Sequence, residues 1–192
     1  MDSKLQIISG EFRGRKLKLS PDARPTQNLA RGAIFNMLGE ILLEPHTQLH
    51  AWDAFAGSGA LGIEVLSRYK NSNVIFTDIS DASVRTITDN LKGINIDWAR
   101  YKIEKADAAI RVWKYGPRVN LVFVDPPYAA AQLGVDFVAQ LADAVVKNTI
   151  VVQEIEASVE YMPDANKWEI LRDKKYGRAR FLILRRVVSK KG

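Results

Sequence analysis

The 192-residue chain has no cysteine and only two histidines, His46 and His50. The first absence excludes disulfides, thiolate metal sites and cysteine nucleophiles. Neither histidine has a sequence partner that suggests ligation, so no metal is expected. No apolar run approaches the ~20 residues a membrane-spanning helix needs. The opening MDSKLQIISG lacks the apolar stretch of a secretory signal. A cytoplasmic protein with no membrane contact is expected. Apolar residues make up 47% of the chain and charged residues 26%, which at this length suits one globular domain with a small appendage.

Charge is unevenly spread. Residues 1–31 carry seven Lys/Arg against three Asp/Glu, and residues 167–192 carry ten against two, so the acidic excess falls in the middle of a chain whose net charge is +6. Basic ends on an acidic body point to a polyanionic partner, because Lys and Arg gain by displacing counterions from a phosphate backbone. A solvated basic surface explains the charge alone equally well.

The N-terminal pattern predicts a hairpin of residues 5–8 and 16–19 around SGEFRGR, a breaker-rich loop SPDARPT, and a helix over 28–43 with an apolar face of Leu29, Ile34, Leu38 and Ile41. From about residue 49, strand-like and helix-like segments alternate. Strands are expected at LHAWDAF, NVIFTD, the start of YKIEKADAAIRVWK, VNLVFVD and TIVVQEI. Asp81 is the expected cap of the helix after the second strand. Such alternation builds a parallel sheet with helices on both faces. The tail KWEILRDKKYGRARFLILRRV predicts a closing antiparallel hairpin.

In sheets of this class, ligands bind beyond the carboxyl ends of the strands. There DAFAGSGALG places Gly57, Gly59 and Gly62 in the spacing of a dinucleotide-binding turn, a weak signal alone. Asp53, just before the turn, is expected at the mouth of the site. An ionised carboxylate there repels a pyrophosphate by about 3 kcal/mol, yet suits a cationic ligand without phosphate, such as S-adenosylmethionine. Asp78, ending the second strand, can accept from ribose hydroxyls. Asp107, after the third, either accepts from an adenine amine or caps the following helix.

The stronger signal is VDPPY, residues 124–128. Consecutive prolines stiffen the turn and hold Asp125 extended. The Asp125 carboxylate and Pro126 carbonyl can accept the two protons of an amine, Pro127 completes the turn, and the Tyr128 ring can stack on a planar substrate. An exocyclic amine is a poor nucleophile, and these groups supply the orientation that methyl transfer from a sulfonium requires.

These motifs resemble the class I methyltransferases with an Asn/Asp-Pro-Pro-Tyr/Phe turn, and more narrowly the RsmD family of small-subunit ribosomal RNA guanine-N2 methyltransferases. The similar segments are IISGEFRGRKLKL, RPTQNLARGAIFNML, DAFAGSGALGIEVLSR, FVDPPY and KKYGRARFLIL, which span nearly the whole chain. The resemblance implies a Rossmann-like α/β fold, with a mostly parallel seven-stranded sheet and an antiparallel C-terminal strand. It divides the chain into an RNA-contacting extension over 1–45 and a methyltransferase domain over 46–192. It implies that Asp53, Phe55, Gly57, Gly59, Asp78, Asp107 and Ala108 hold S-adenosylmethionine, and that Asp125, Pro126, Pro127 and Tyr128 form the catalytic turn. Arg13, Arg15, Lys16, Arg24 and Arg31 are then expected to contact ribosomal RNA of the small subunit, with the protein acting as a monomer. Where the family usually has a charged Asp-Arg-Val-Arg-Glu run, this chain has Asn28, Leu29, Ala30, Arg31 and Gly32, so only Arg31 matches.

From the residues alone the substrate is a planar amine on a polyanion. A DNA amino-methyltransferase uses the same chemistry but usually carries a base-reading domain, for which this chain has little room. A protein glutamine methyltransferase uses a similar turn, usually with Asn first, and the basic ends argue against it. A non-catalytic RNA-binding module on the same fold would not need an intact VDPPY and an intact glycine turn.

Overall fold

The computed structural model describes residues 5–20, 28–42, 48–127 and 131–187. A helix α1 (Asn28–Ile41) precedes β1 (His50–Asp53), α2 (Ala60–Arg68), β2 (Asn73–Asp78), α3 (Asp81–Gly93), β3 (Tyr101–Lys105) and α4 (Ala108–Tyr115). Then follow β4 (Leu121–Val124), α5 (Ala131–Ala144), β5 (Ile150–Glu156), β6 (Trp168–Tyr176) and β7 (Ala179–Arg186). The sheet has seven strands in the order β3-β2-β1-β4-β5-β7-β6. Strand β7 is antiparallel to both its neighbours, and every other pairing is parallel. This is the expected class I methyltransferase architecture.

Burial on both faces follows from the sequence. LVFV of β4 is buried at all four positions, as a central parallel strand covered by helices must be. One face packs Ile63, Leu66, Ile87 and Leu91 of α2 and α3 against Phe76 and Phe123. The other packs Val112 of α4 and Phe137, Val138 and Leu141 of α5 against Trp52, Val122 and Val124. Trp52 is fully buried and stays satisfied because its indole N–H donates to Thr77 Oγ1 at 2.9 Å.

The N-terminal hairpin is shorter than its apolar pattern predicts. One bridge, Gln6 to Lys16, joins its arms, supported by Ile7 N–H to Arg15 O at 3.0 Å and Leu17 N–H to Leu5 O at 2.9 Å. Leu5, Ile7, Leu17, Ile34, Phe35 and Leu38 enter the same core as α2 and α3. Leu29, expected on the buried face of α1, is instead 79% exposed. The N-cap of α3 is Ser80, whose hydroxyl accepts from Ser83 N–H, and not the adjacent Asp81.

Candidate active site

Strand order reverses between β1 and β4, the switch point beyond whose strand ends sheets of this class form their ligand crevice. Register fixes what faces it. Asp53 pairs with Phe76 on one side and Phe123 on the other. Asp78 and Asp125 therefore both stand two residues beyond Asp53, about 7 Å higher at strand rise. They share a row two strand spacings wide, roughly 10 Å, with the glycine loop between them.

That offset corrects the expectation for Asp53. Its carboxylate is 2% exposed and does not stand at the mouth of the crevice. It accepts from the Gly62 N–H at 2.9 Å, inside the first turn of α2. Burial pushes its pKa up from 3.8 to about 7, with the Gly62 hydrogen bond opposing and the Asp78 charge adding to the rise. Asp53 thus braces the loop from below.

The loop is held at two further points. Asp78 Oδ2 accepts from Gly57 N–H at 2.8 Å, while its Oδ1 accepts from Ser80 N–H at 2.9 Å. Asn90 of α3 donates to Ser58 O at 2.9 Å. Gly57 and Gly59 have φ of 54° and 79°, left-handed values that favour glycine. Gly62 is needed for a different reason: a Cβ there would lie 2.3 Å from the Phe76 ring. Phe55, half-buried, stacks edge-on against Phe137 with centroids 5.2 Å apart. Asp107 caps α4, its Oδ1 accepting from Ala109 N–H at 2.9 Å, with Ala108 buried behind it. Asp107 is thus a helix cap, and its Oδ2 carries no hydrogen bond from the described residues.

Asp125 is half-buried, Pro126 buried and Pro127 exposed at the end of β4. Helix α5 closes on this turn because residue 134 is glycine: a Cβ there would lie 2.8 Å from Pro126 Cγ. Gln153, beside Val124 in β5, is fully buried, and neither amide atom has a hydrogen-bond partner among the described residues. Tyr128 and Arg24 lie outside the described residues.

Of the expected RNA contacts, Arg13, Arg15 and Lys16 are exposed on the N-terminal hairpin. Arg31 is not available to RNA. It is 0% exposed, sits 3.7 Å from Glu64 Oε2 and donates to Gln6 O. Glu64, also unforeseen, is 1% exposed and accepts from Ile8 N–H at 2.9 Å, Ser9 N–H at 3.0 Å and Arg68 Nε at 2.7 Å. This carboxylate fastens the N-terminal hairpin to α2. An acidic residue following the glycine turn at GIE was visible in the sequence, but nothing there marked its partners.

Residues 5–185 match the family described as Conserved hypothetical protein 95. The chain is 32% identical over 189 residues to ribosomal RNA small subunit methyltransferase D of Escherichia coli K12, covering 95% of this chain and 90% of that protein. The solved structure of yhhF from Escherichia coli superposes with a TM-score of 0.79 at 30% identity, covering 95% of this chain and 98% of that one. Similarity to release factor glutamine methyltransferase of Clostridium acetobutylicum, 33% identical, reaches only 40% of this chain and 26% of that protein. With a seven-stranded class I sheet, a braced glycine loop and a family match over residues 5–185, the chain belongs to the Conserved hypothetical protein 95 family, the RsmD family of methyltransferases.

Proposed function

We propose that this protein transfers a methyl group from S-adenosylmethionine to the exocyclic N2 amine of a guanine in small-subunit ribosomal RNA. The observation that carries the reading is the row formed by Asp78, the glycine loop and Asp125. It sets a ribose-type acceptor and an amine-type acceptor roughly 10 Å apart across the switch point. The residues fit a sulfonium nucleoside. Gly57 and Gly59 leave the loop without side chains where a ligand backs onto it, and the Gly57 and Gly62 N–H groups that could otherwise cradle a pyrophosphate donate to Asp78 and Asp53. Asp78 keeps lone pairs for ribose hydroxyls beyond its two backbone bonds. The Asp107 Oδ2 is the acceptor for an adenine amine.

The methyl donor supplies an electrophilic carbon on a positive sulfur. Once bound, it would give up this methyl as its C–S bond breaks and the C–N bond forms, and the amine's proton would pass to solvent. Asp125 and the Pro126 carbonyl accept the two N–H bonds of the amine, orient its lone pair and stabilise the charge that develops on nitrogen. Asp125 need not act as a strong base, because the methylated amine is acidic enough to lose its proton afterwards. Tyr128 is proposed to stack on the base. Arg13, Arg15 and Lys16, in an extension over 1–45, are proposed to contact RNA phosphates, and Arg24 is kept as a candidate. A cytoplasmic, monomeric, metal-independent enzyme is the accompanying reading.

Tritiated-methyl transfer to small-subunit ribosomal RNA tests it. Asp125→Ala should lower kcat by ~10²–10³-fold, with a much smaller change in KM, as expected on removing one preorganised hydrogen-bonding group. Near-wild-type turnover by this variant would make the turn purely structural.

A further inference from the structure

We infer that the tip of the C-terminal β6–β7 hairpin, through Lys174, Lys175 and Arg178, is the surface that grips the RNA phosphates flanking the target base. This deepens the proposed function and rests on it.

The inference follows from sheet register. Val124 pairs with Gln153, so Asp125 is level with Glu154. Glu154 pairs with Phe181, and Phe181 with Lys174. Asp125, Glu154, Phe181 and Lys174 therefore form one row across the sheet. Three strand spacings separate the catalytic carboxylate from Lys174, roughly 14 Å. The hairpin then continues two residues beyond that row, to Tyr176 paired with Ala179, before turning through Gly177 at φ 60°. It rises about 7 Å above the level of Asp125 as a wall beside the crevice. A base entering the crevice brings the phosphates one to three nucleotides away to this distance.

Charge pairing changes at the same level. Lower on β6 and β7, charges are satisfied internally: Arg185 with Glu169 at 2.6 Å and Arg172 with Glu40 at 3.1 Å; Arg180, level with Lys175, is largely buried and pairs with Asp173 at 2.7 Å. At the height of the site, Lys174 and Lys175 are exposed and take part in no ion pair among the described residues. Arg178 pairs with Glu156 at 2.9 Å but remains 79% exposed, a contact that RNA phosphate can displace. Edge-strand lysines also protect a sheet from pairing with another. That role does not require the unpaired charges to gather at the catalytic end.

The N-terminal hairpin is differently placed. Glu11 N–H donates to Ser67 O at 2.8 Å and Phe12 N–H to Ser67 Oγ at 3.1 Å, near the end of α2 away from the glycine loop. Seven residues of helix, about 10 Å, separate Ser67 from Ala60 at the loop. Arg13 and Arg15 can therefore hold only RNA that runs along the side of the molecule.

The test compares K174Q/K175Q/R178Q with R13Q/R15Q/K16Q and the wild type. Each is assayed for methyl transfer to, and binding of, unmethylated small-subunit ribosomal RNA between 50 and 200 mM salt. For the C-terminal triple variant, the slope of log affinity against log salt should flatten by about 2, at ~0.7 per lost contact on single-stranded RNA. A roughly 20-fold share of the wild type's loss of affinity across that salt range should disappear. KM for RNA should rise, while S-adenosylmethionine affinity, kcat at saturating RNA and the elution volume on size exclusion stay unchanged. The N-terminal triple variant should raise KM less. An unchanged slope and KM in K174Q/K175Q/R178Q overturns the inference, as does a shift to larger species, which would make the lysines edge protection. Failure of the wild type itself to bind and methylate RNA would instead refute the proposed function, and is read in the wild-type arm.

Discussion

Asp53→Asn should change how stability depends on pH. In the folded protein the carboxyl holds its proton to about pH 7, because burial disfavours the charge, whereas its ordinary pKa is 3.8. Between those values the folded state binds the proton and the unfolded state does not. By linkage, stability falls as pH rises through that window and levels off above 7. The full penalty is about 4 kcal/mol at 1.36 kcal/mol per pKa unit. Of this, about 2 kcal/mol is lost between pH 5 and pH 7. Asparagine keeps an oxygen for the Gly62 N–H at nearly the same volume but cannot ionise. The variant should therefore match the wild type within about 1 to 2 kcal/mol at pH 5, then gain about 2 kcal/mol on it by pH 7. Urea denaturation of both proteins at four or five pH values measures the difference, and other titrating groups cancel in the subtraction. A difference that stays constant from pH 5 to pH 7 would refute the burial of an ionisable Asp53. So would a variant that loses ground as pH rises.

Glu64→Ala should cost about 3–5 kcal/mol in urea denaturation, because it leaves Arg31 buried without its counter-charge and frees two hairpin N–H groups; a loss below 1 kcal/mol would mean that the hairpin is held by its apolar contacts alone. Gln153→Leu removes two buried amide atoms that have no partner among the described residues, at similar volume, and should raise stability by about 1–3 kcal/mol. Lower stability in that variant would show that the amide is satisfied in solution.

The alternation of strand and helix was legible because central parallel strands are short apolar runs, as in LVFV of β4, and the intervening helices carry their own caps and glycines. The order of acidic strand ends was legible too. Their heights were not. Asp53 reads as a strand-end carboxylate like Asp78, and only pairing with Phe76 and Phe123 shows that it ends two residues lower. Height depends on register between strands distant in sequence, which no single strand encodes. The burial of Arg31 is hidden in the sequence for a related reason. An arginine on a glycine-containing helix looks solvated until Glu64, on another helix, comes within 3.7 Å and encloses it. Ser80 and Asp81 are both good caps in adjacent positions, and side-chain geometry alone chose between them. The C-terminal hairpin was predicted as a hairpin, but its position at the catalytic end follows only from the row that links Lys174 to Asp125.

Nucleoside analysis of the methylated product tests the central claim most directly. Wild-type protein is incubated with tritiated S-adenosylmethionine and, separately, unmethylated small subunits, free small-subunit ribosomal RNA and duplex DNA. Each nucleic acid is then digested and the labelled nucleoside identified. The account predicts label in N2-methylguanosine, from the RNA or the subunit and not from DNA, and its loss with Asp125→Ala. Label in N6-methyladenine or N4-methylcytosine from duplex DNA, or no transfer to any of the three, would contradict it.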